Sequence, residues 1–236
     1  MTSEHHIASA FDRDLEAVQA LVVRMGGMVE AAILDAAQAL DARDEDLAEE
    51  VRRRDAAIDA LEQQINEESA RLIALRSPTA SDLRVVLAVM KIAGNLERVG
   101  DYAKNMAKRG HVLAQIPAIE GSGGAIRRMA RTVEAMLRDA IDAFIARDAA
   151  LAAEVRARDL DVDQMYNALF REFLTYMLED PRSITACMHL HFIAKNVERM
   201  GDHATSIAEQ VIYLVEGHLP QDARPKTDSV QPPGKA

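Results

Sequence analysis

Along most of the chain apolar residues return every three or four positions with charged residues between them, as in Val51, Ile58, Leu61, Ile65 and Leu72. That spacing gathers them on one face of a helix, whereas a strand would need alternation at every second position. Ala, Leu, Glu, Arg, Met and Gln dominate these stretches, and such side chains lose little on entering a helix. The pattern predicts an all-α protein with no strand. The period is interrupted near Arg43-Asp44, at Ser77-Pro78, from Ile116-Pro117 to Gly121-Ser-Gly-Gly124, near Arg147-Asp148, at Asp180-Pro181 and after Gly217, where turn-forming residues gather. Six helices are expected, at about 9–42, 45–75, 80–113, 124–146, 149–179 and 182–216. Short turns make neighbours antiparallel, so residues 9–113 and 124–216 each read as an up-down-up three-helix bundle, joined by the glycine-rich stretch. Residues 219–236, with Pro225, Pro232, Pro233 and Gly234, read as a disordered tail.

The two halves are copies of one another. Asn95-Leu-Glu-Arg-Val-Gly-Asp101 returns as Asn196-Val-Glu-Arg-Met-Gly-Asp202, 101 positions later. Upstream, Val29-Glu30-Ala31 matches Val133-Glu134-Ala135, Ala42-Arg43-Asp44 matches Ala146-Arg147-Asp148, and Arg54-Asp55 and Asp59 match Arg158-Asp159 and Asp163, at an offset of 104. The second copy is therefore three residues shorter, and the turn at Arg76-Ser77-Pro78-Thr79, against Glu179-Asp180-Pro181, is where they are lost. Two similar halves follow from the repeat.

Composition narrows the function. With 236 residues, 49 % of them hydrophobic, the chain can bury a substantial core. No unbroken run of about 18 apolar residues is present to span a bilayer, and Met1-Thr-Ser-Glu-His-His lacks the basic and apolar regions of a signal peptide. The expected location is the cytoplasm, with any membrane association peripheral. The lone Cys187 reads as a buried thiol. A formal net charge of −10 argues against nucleic acid as a partner, since phosphate-backbone binding rests on clustered Lys and Arg. Cations are the natural partners of such a chain.

The repeat also places the acids. Glu97 and Asp101, like Glu198 and Asp202, are four residues apart and share a helix face. In an antiparallel hairpin, residues equidistant from the turn stand at one height. Asp59 with Glu97 and Asp55 with Asp101 both average to position 78, and Asp163 with Glu198 and Asp159 with Asp202 both average to 180.5, which are the two turns. Height follows from this arithmetic, and convergence depends on helix rotation. Like charges so placed repel unless a cation or arginine compensates them. One reading is a salt-bridge network with Arg54, Arg98, Arg158 and Arg199, which repeat with the acids. The other is a metal site in each half, Asp55, Asp59, Glu97 and Asp101 in the first and Asp159, Asp163, Glu198 and Asp202 in the second. Oxygen-only ligands suit Mg²⁺, Mn²⁺, iron or Ca²⁺. Asn105 and Ser206, one turn beyond Asp101 and Asp202, are candidate weaker ligands. His203, beside Asp202, would bring in iron or zinc, and Tyr102 takes its place in the first copy.

With these motifs the chain resembles the PhoU family of phosphate-signalling regulators over about residues 10–216. The resemblance rests on Glu97-Arg-Val-Gly-Asp101 and Glu198-Arg-Met-Gly-Asp202, on Asp55-Ala-Ala-Ile-Asp59 and Asp159-Leu-Asp-Val-Asp163, and on Asp82-Leu-Arg84 leading into the third helix. It implies two symmetric three-helix bundles and a non-enzymatic cytoplasmic protein that restrains the phosphate-starvation response. That role couples the high-affinity phosphate ABC transporter, through its ATPase subunit, to a sensor histidine kinase. It also implies clusters of iron, zinc, manganese or magnesium at these motifs, and a homodimer. The second copy departs from the pattern in having Ser183-Ile-Thr185 where the first has Asp-Leu-Arg.

Other signals are weaker. Glu30 and Glu134 repeat as single acids of the first helix of each half, either exposed or completing a cluster. His5-His6, His189 and His191 read as terminal, packing or surface residues, and the methionines, Met25, Met28, Met90 and Met106 among them, as core filling. No phosphate-binding loop or nucleophile set is visible. A ferritin-type di-iron oxidase is the rival from another class, but Gly100 and Gly201 stand where its Glu-x-x-His motif would need histidine. A metal-free helical adaptor is the remaining alternative.

Overall fold

The computed structural model describes residues 2–220 apart from Ser77 and Thr79, so the expected disordered tail from 221 onward lies outside the described residues. Six α-helices account for nearly all of it: α1 (Thr2–Ala42), α2 (Glu45–Arg76), α3 (Ala80–Ala114), α4 (Ser122–Ala146), α5 (Ala149–Glu179) and α6 (Ile184–Glu216). Among the described residues there is no strand.

The breaks fall where punctuation predicts them. α1 and α4 each end in an arginine with positive φ, Arg43 and Arg147, both at 56°. The aspartate that follows starts the next helix: Asp44 accepts from Leu47 N at 3.0 Å, and Asp148 accepts from Ala150 N and Leu151 N at 2.9 and 3.0 Å. These are side-chain caps on otherwise orphaned amides. Three boundaries differ from expectation. α1 starts at Thr2 and not near 9, α4 starts at Ser122 behind the left-handed Gly121, and a single 3-10 turn, Pro181–Ser183, precedes α6. That turn arises because Pro181 cannot donate a backbone hydrogen bond and the Asp180 side chain accepts from Arg182 N at 3.0 Å.

α1, α2 and α3 pack on one another, as do α4, α5 and α6, and the halves join where α1 meets α4 and α3 meets α6. Among the described residues, α2 touches only the first half and α5 only the second. Four central helices are thus flanked by two outer ones. The expected apolar face of α2, Val51, Ile58, Leu61, Ile65 and Leu72, is buried throughout. One contiguous core runs from Val22, Met25 and Ile33 of α1 through Ile92 and Leu96 of α3 to Met136 of α4 and Ile207 of α6. The expectation that no stretch could span a bilayer meets one exception by composition, in α1. Its segment Arg13–Ala42 is long and apolar enough, by length and composition, to cross a membrane. In the fold Val18, Val22, Met25, Val29 and Ile33 of that segment are buried in the core, whereas Val23 and Leu34 are exposed and 33 % of its most apolar window is buried.

Candidate functional site: two repeated acidic clusters

Gly100 sets how closely α2 approaches α3. A Cβ at that position would lie 3.2 Å from Ile58 Cδ1 and 3.7 Å from Asp55 Oδ1. At Gly201 it would meet Val162 Cγ1 at 3.4 Å and Asp159 Oδ1 at 3.5 Å. Gly100 and Gly201, Ile58 and Val162, and Asp55 and Asp159 are repeat counterparts. The same close helix contact therefore lays an aspartate of the outer helix beside the Glu-x-x-x-Asp turn of the inner one in both halves.

In the first cluster all four predicted acids are close enough to act on each other. Burial, followed by the charge of Asp55, raises the Asp59 carboxyl above its ordinary 3.8, with Asp101 adding and Lys104 opposing. Burial and then Asp101 raise Glu97 above 4.5, against Arg98. Both shifts have the sign expected of crowded carboxylates. Asp55 is only 3 % exposed, its Oδ2 accepts from Lys104 Nζ, and its Oδ1 is buried without a hydrogen-bond partner. Lys104 Nζ also stands 3.8 Å from Asp101 Oδ1. Its hydrogen bond to Asp55 holds the ammonium above its usual 10.5, against burial.

The second cluster is built from the counterparts. Burial raises Glu198 above 4.5, Lys195 opposes, and Asp202 and Asp163 add. Lys195 Nζ lies 2.7 Å from Glu198 Oε1 and 5.1 Å above the centre of the Tyr166 ring, while Glu198 Oε2 is buried without a hydrogen-bond partner. Asp159 is 3 % exposed.

The arginines that repeat with the acids mostly serve elsewhere. Arg54 pairs with Asp35 of α1 at 2.8 Å and Arg158 with Asp139 of α4 at 2.5 Å, one bond in two copies. The Arg199 guanidinium lies 6.0 Å from the centre of the Tyr102 ring, across α3 and α6. Arg98 stays with its cluster, 3.5 Å from Glu97 and 3.9 Å from Asp101, and it is exposed, while Arg199 keeps weaker electrostatic contact with Glu198 and Asp202. The principal counter-ions are Lys104 and Lys195, which comparison of the repeats passes over because neither is repeated. Helical spacing was the available signal: Lys104 is seven residues after Glu97 and Lys195 three before Glu198, each on the acids' face.

The remaining candidates separate. Asn105 is exposed, and Ser206 donates its hydroxyl to the Asp202 carbonyl at 2.9 Å. His203 has its Nδ1 2.8 Å from Asn95 Oδ1, so one ring nitrogen joins the halves. Glu30 and Glu134 meet across the α1–α4 contact and not at either cluster: Glu134 pairs with Arg138 at 3.1 Å, and Glu30 is raised by burial and then by Glu134.

Among the described residues, no three His, Cys, Asp or Glu side chains are gathered as ligands around one point. In the first half the acids are arranged around an ammonium. The donor set nevertheless fits a hard cation, being all carboxylate, with Asp55 Oδ1 and Glu198 Oε2 buried and unbonded.

Comparison with known proteins adds to this geometry. The sequence profile of the PhoU domain matches residues 22–110 and again 126–211. A protein of Rhizobium meliloti named phosphate-specific transport system accessory protein PhoU homolog is 44 % identical over 233 residues, 96 % of this chain and 95 % of the relative. One of the same name from Zymomonas mobilis is 45 % identical over 222 residues, 94 % of this chain and 93 % of the relative. The crystal structure of PhoU from Pseudomonas aeruginosa, 40 % identical, superposes with a TM-score of 0.85 over 88 % of this chain and all of that one. The PhoU regulatory protein of Streptococcus pneumoniae, 30 % identical, has a TM-score of 0.81 over 89 % of this chain and 99 % of that one.

Proposed function

Because the chain belongs to the PhoU family, we propose that it is an accessory regulator of phosphate-specific transport that restrains the phosphate-starvation response when phosphate is plentiful. It works as a non-enzymatic cytoplasmic protein, linking the ATPase subunit of a phosphate ABC transporter to a sensor histidine kinase, and as a homodimer. The observation that carries this reading is the duplicated family domain with its duplicated acidic cluster, spread over nearly the whole chain. A scaffold of long packed helices with two like sites suits a protein that binds and relays.

In this reading each cluster also takes a divalent or trivalent cation, iron, zinc, manganese or magnesium, held by Asp55, Asp59, Glu97 and Asp101 or by Asp159, Asp163, Glu198 and Asp202. Bound there, the cation would neutralise the crowded carboxylates and tie an outer helix to an inner one. What supports this is the fit of the donor set. What favours a metal-free adaptor as second reading is the pair of lysines already at the acids. Deleting the gene and measuring phosphate-starvation transcripts in high phosphate tests the regulatory role. Transcripts should stay on in the deletion strain, and normal repression would refute the proposal.

A further inference from the structure

The clusters repeat, but their lysines do not. By the offset that relates Glu97 to Glu198, Lys104 corresponds to Thr205 and Lys195 to Gly94. Thr205 is fully buried and donates its hydroxyl to the Gly201 carbonyl at 3.0 Å, so no ammonium enters the second cluster from that position. The two lysines also differ in reach. Lys104 joins Asp55 of α2 to Asp101 of α3, whereas Lys195 holds Glu198 of its own helix and covers the Tyr166 ring.

We propose that Lys104 is a tethered counter-ion of the first cluster, occupying it until an external divalent cation displaces it. The inference rests on the cation reading above. Asp55 Oδ2 cannot serve an ammonium and a metal ion together, because the two positive charges would repel at a few ångströms. Asp55 Oδ1, on a carboxylate more than nine-tenths buried and turned toward Gly100, has no hydrogen-bond partner, so the ammonium leaves one buried acceptor of the site unused. Lys104 keeps 40 % of its side chain exposed, which gives it a path to water without unfolding the hairpin. It leaves as an ammonium, and no proton changes hands.

The full-length protein, freed of metal by chelator, is acylated with a water-soluble N-hydroxysuccinimide ester with and without Mn²⁺. Modification of Lys104 is read by mass spectrometry against the exposed Lys108 as internal standard. Manganese should raise the ratio of Lys104 to Lys108 modification several-fold. In calorimetric titration with Mn²⁺, Lys104→Gln should tighten one of two sites by roughly tenfold, the size expected for removing one partly screened like charge, and Lys104→Arg should bind as wild type does. If manganese binds both halves while Lys104 reactivity stays flat and Lys104→Gln binds no tighter, the tethered counter-ion is wrong and the cation reading stands. If neither wild type nor Lys104→Gln takes up manganese, both are wrong. Uptake by Lys104→Gln alone would support both.

Discussion

Glu30 and Glu134 show how a position that is solitary in sequence becomes part of a pair. They are repeat counterparts on α1 and α4, and the packing of those helices sets one against the other. Arg138 is bonded to Glu134, and Glu30 is left with a carboxyl raised above 4.5 by burial and then by its neighbour. A group whose folded pKa lies above its unfolded value adds stability below the unfolded value and loses it as pH rises through the folded one. At neutral pH the ionised Glu30 therefore works against folding. Glu30→Gln should stabilise the fold at pH 7 by roughly 0.5 kcal/mol, the size for a partly solvated charge, and so raise its melting temperature, and the advantage should vanish as pH falls toward 4.5. Melting curves of both proteins across that range provide the check, and a gain that grows at low pH would contradict the assignment. The sequence showed that these acids repeat. That they face each other across the α1–α4 contact, away from either cluster, required the fold.

At the scale of elements, the helices and their breaks were legible because their causes are local. Arg43-Asp44 and Arg147-Asp148 end one helix and start another in both halves, through a left-handed residue followed by a carboxylate that caps free amides. Asp148→Ala should cost about 1 kcal/mol of stability, measured by denaturant titration, and Asp148→Asn should recover most of it, since Asn caps nearly as well. A loss equal in the two variants would mean that charge and not capping was removed. The hairpin arithmetic belongs to this scale too. It placed Asp55 with Asp101 and Asp59 with Glu97 at one height, and Gly100 then brought them within electrostatic reach across the α2–α3 contact. Asn105 and Ser206 were projected along the helix in the same way, but a further turn carries Asn105 out to solvent and leaves Ser206 bonded to its own backbone. Height is fixed by chain length, whereas direction depends on how each helix is rotated against its neighbour.

At the scale of the molecule, two bundles are welded into one body. The core passes without a break from α1 and α3 into α4 and α6, and across the same seam His203 bonds Asn95 and the Arg199 guanidinium faces the Tyr102 ring. Separating the halves would expose most of the apolar faces of four helices. Metal-free protein should therefore unfold in a single calorimetric transition, with calorimetric and van't Hoff enthalpies in agreement. Two resolved transitions would show that each bundle is stable alone. α1 has the composition of a membrane span, and its buried face packs against three neighbouring helices, α2, α3 and α4, with 33 % of its most apolar window buried.

The sequence by itself determined the helices, their breaks, the duplication, the family and the heights of the acids along their hairpins, because periodicity, capping chemistry and repeat offset act within a few residues or between similar copies. Only the tertiary structure decided which cations those acids meet. Lys104 and Lys195 stand in the clusters, while Arg54 and Arg158 reach across to Asp35 and Asp139. A long side chain can serve either face of its helix, and which one it serves is set by the rotation of that helix against helices far away in the chain. The repeat pointed to the arginines because they are duplicated. The fold selected the lysines because they lie on the faces where the helices close.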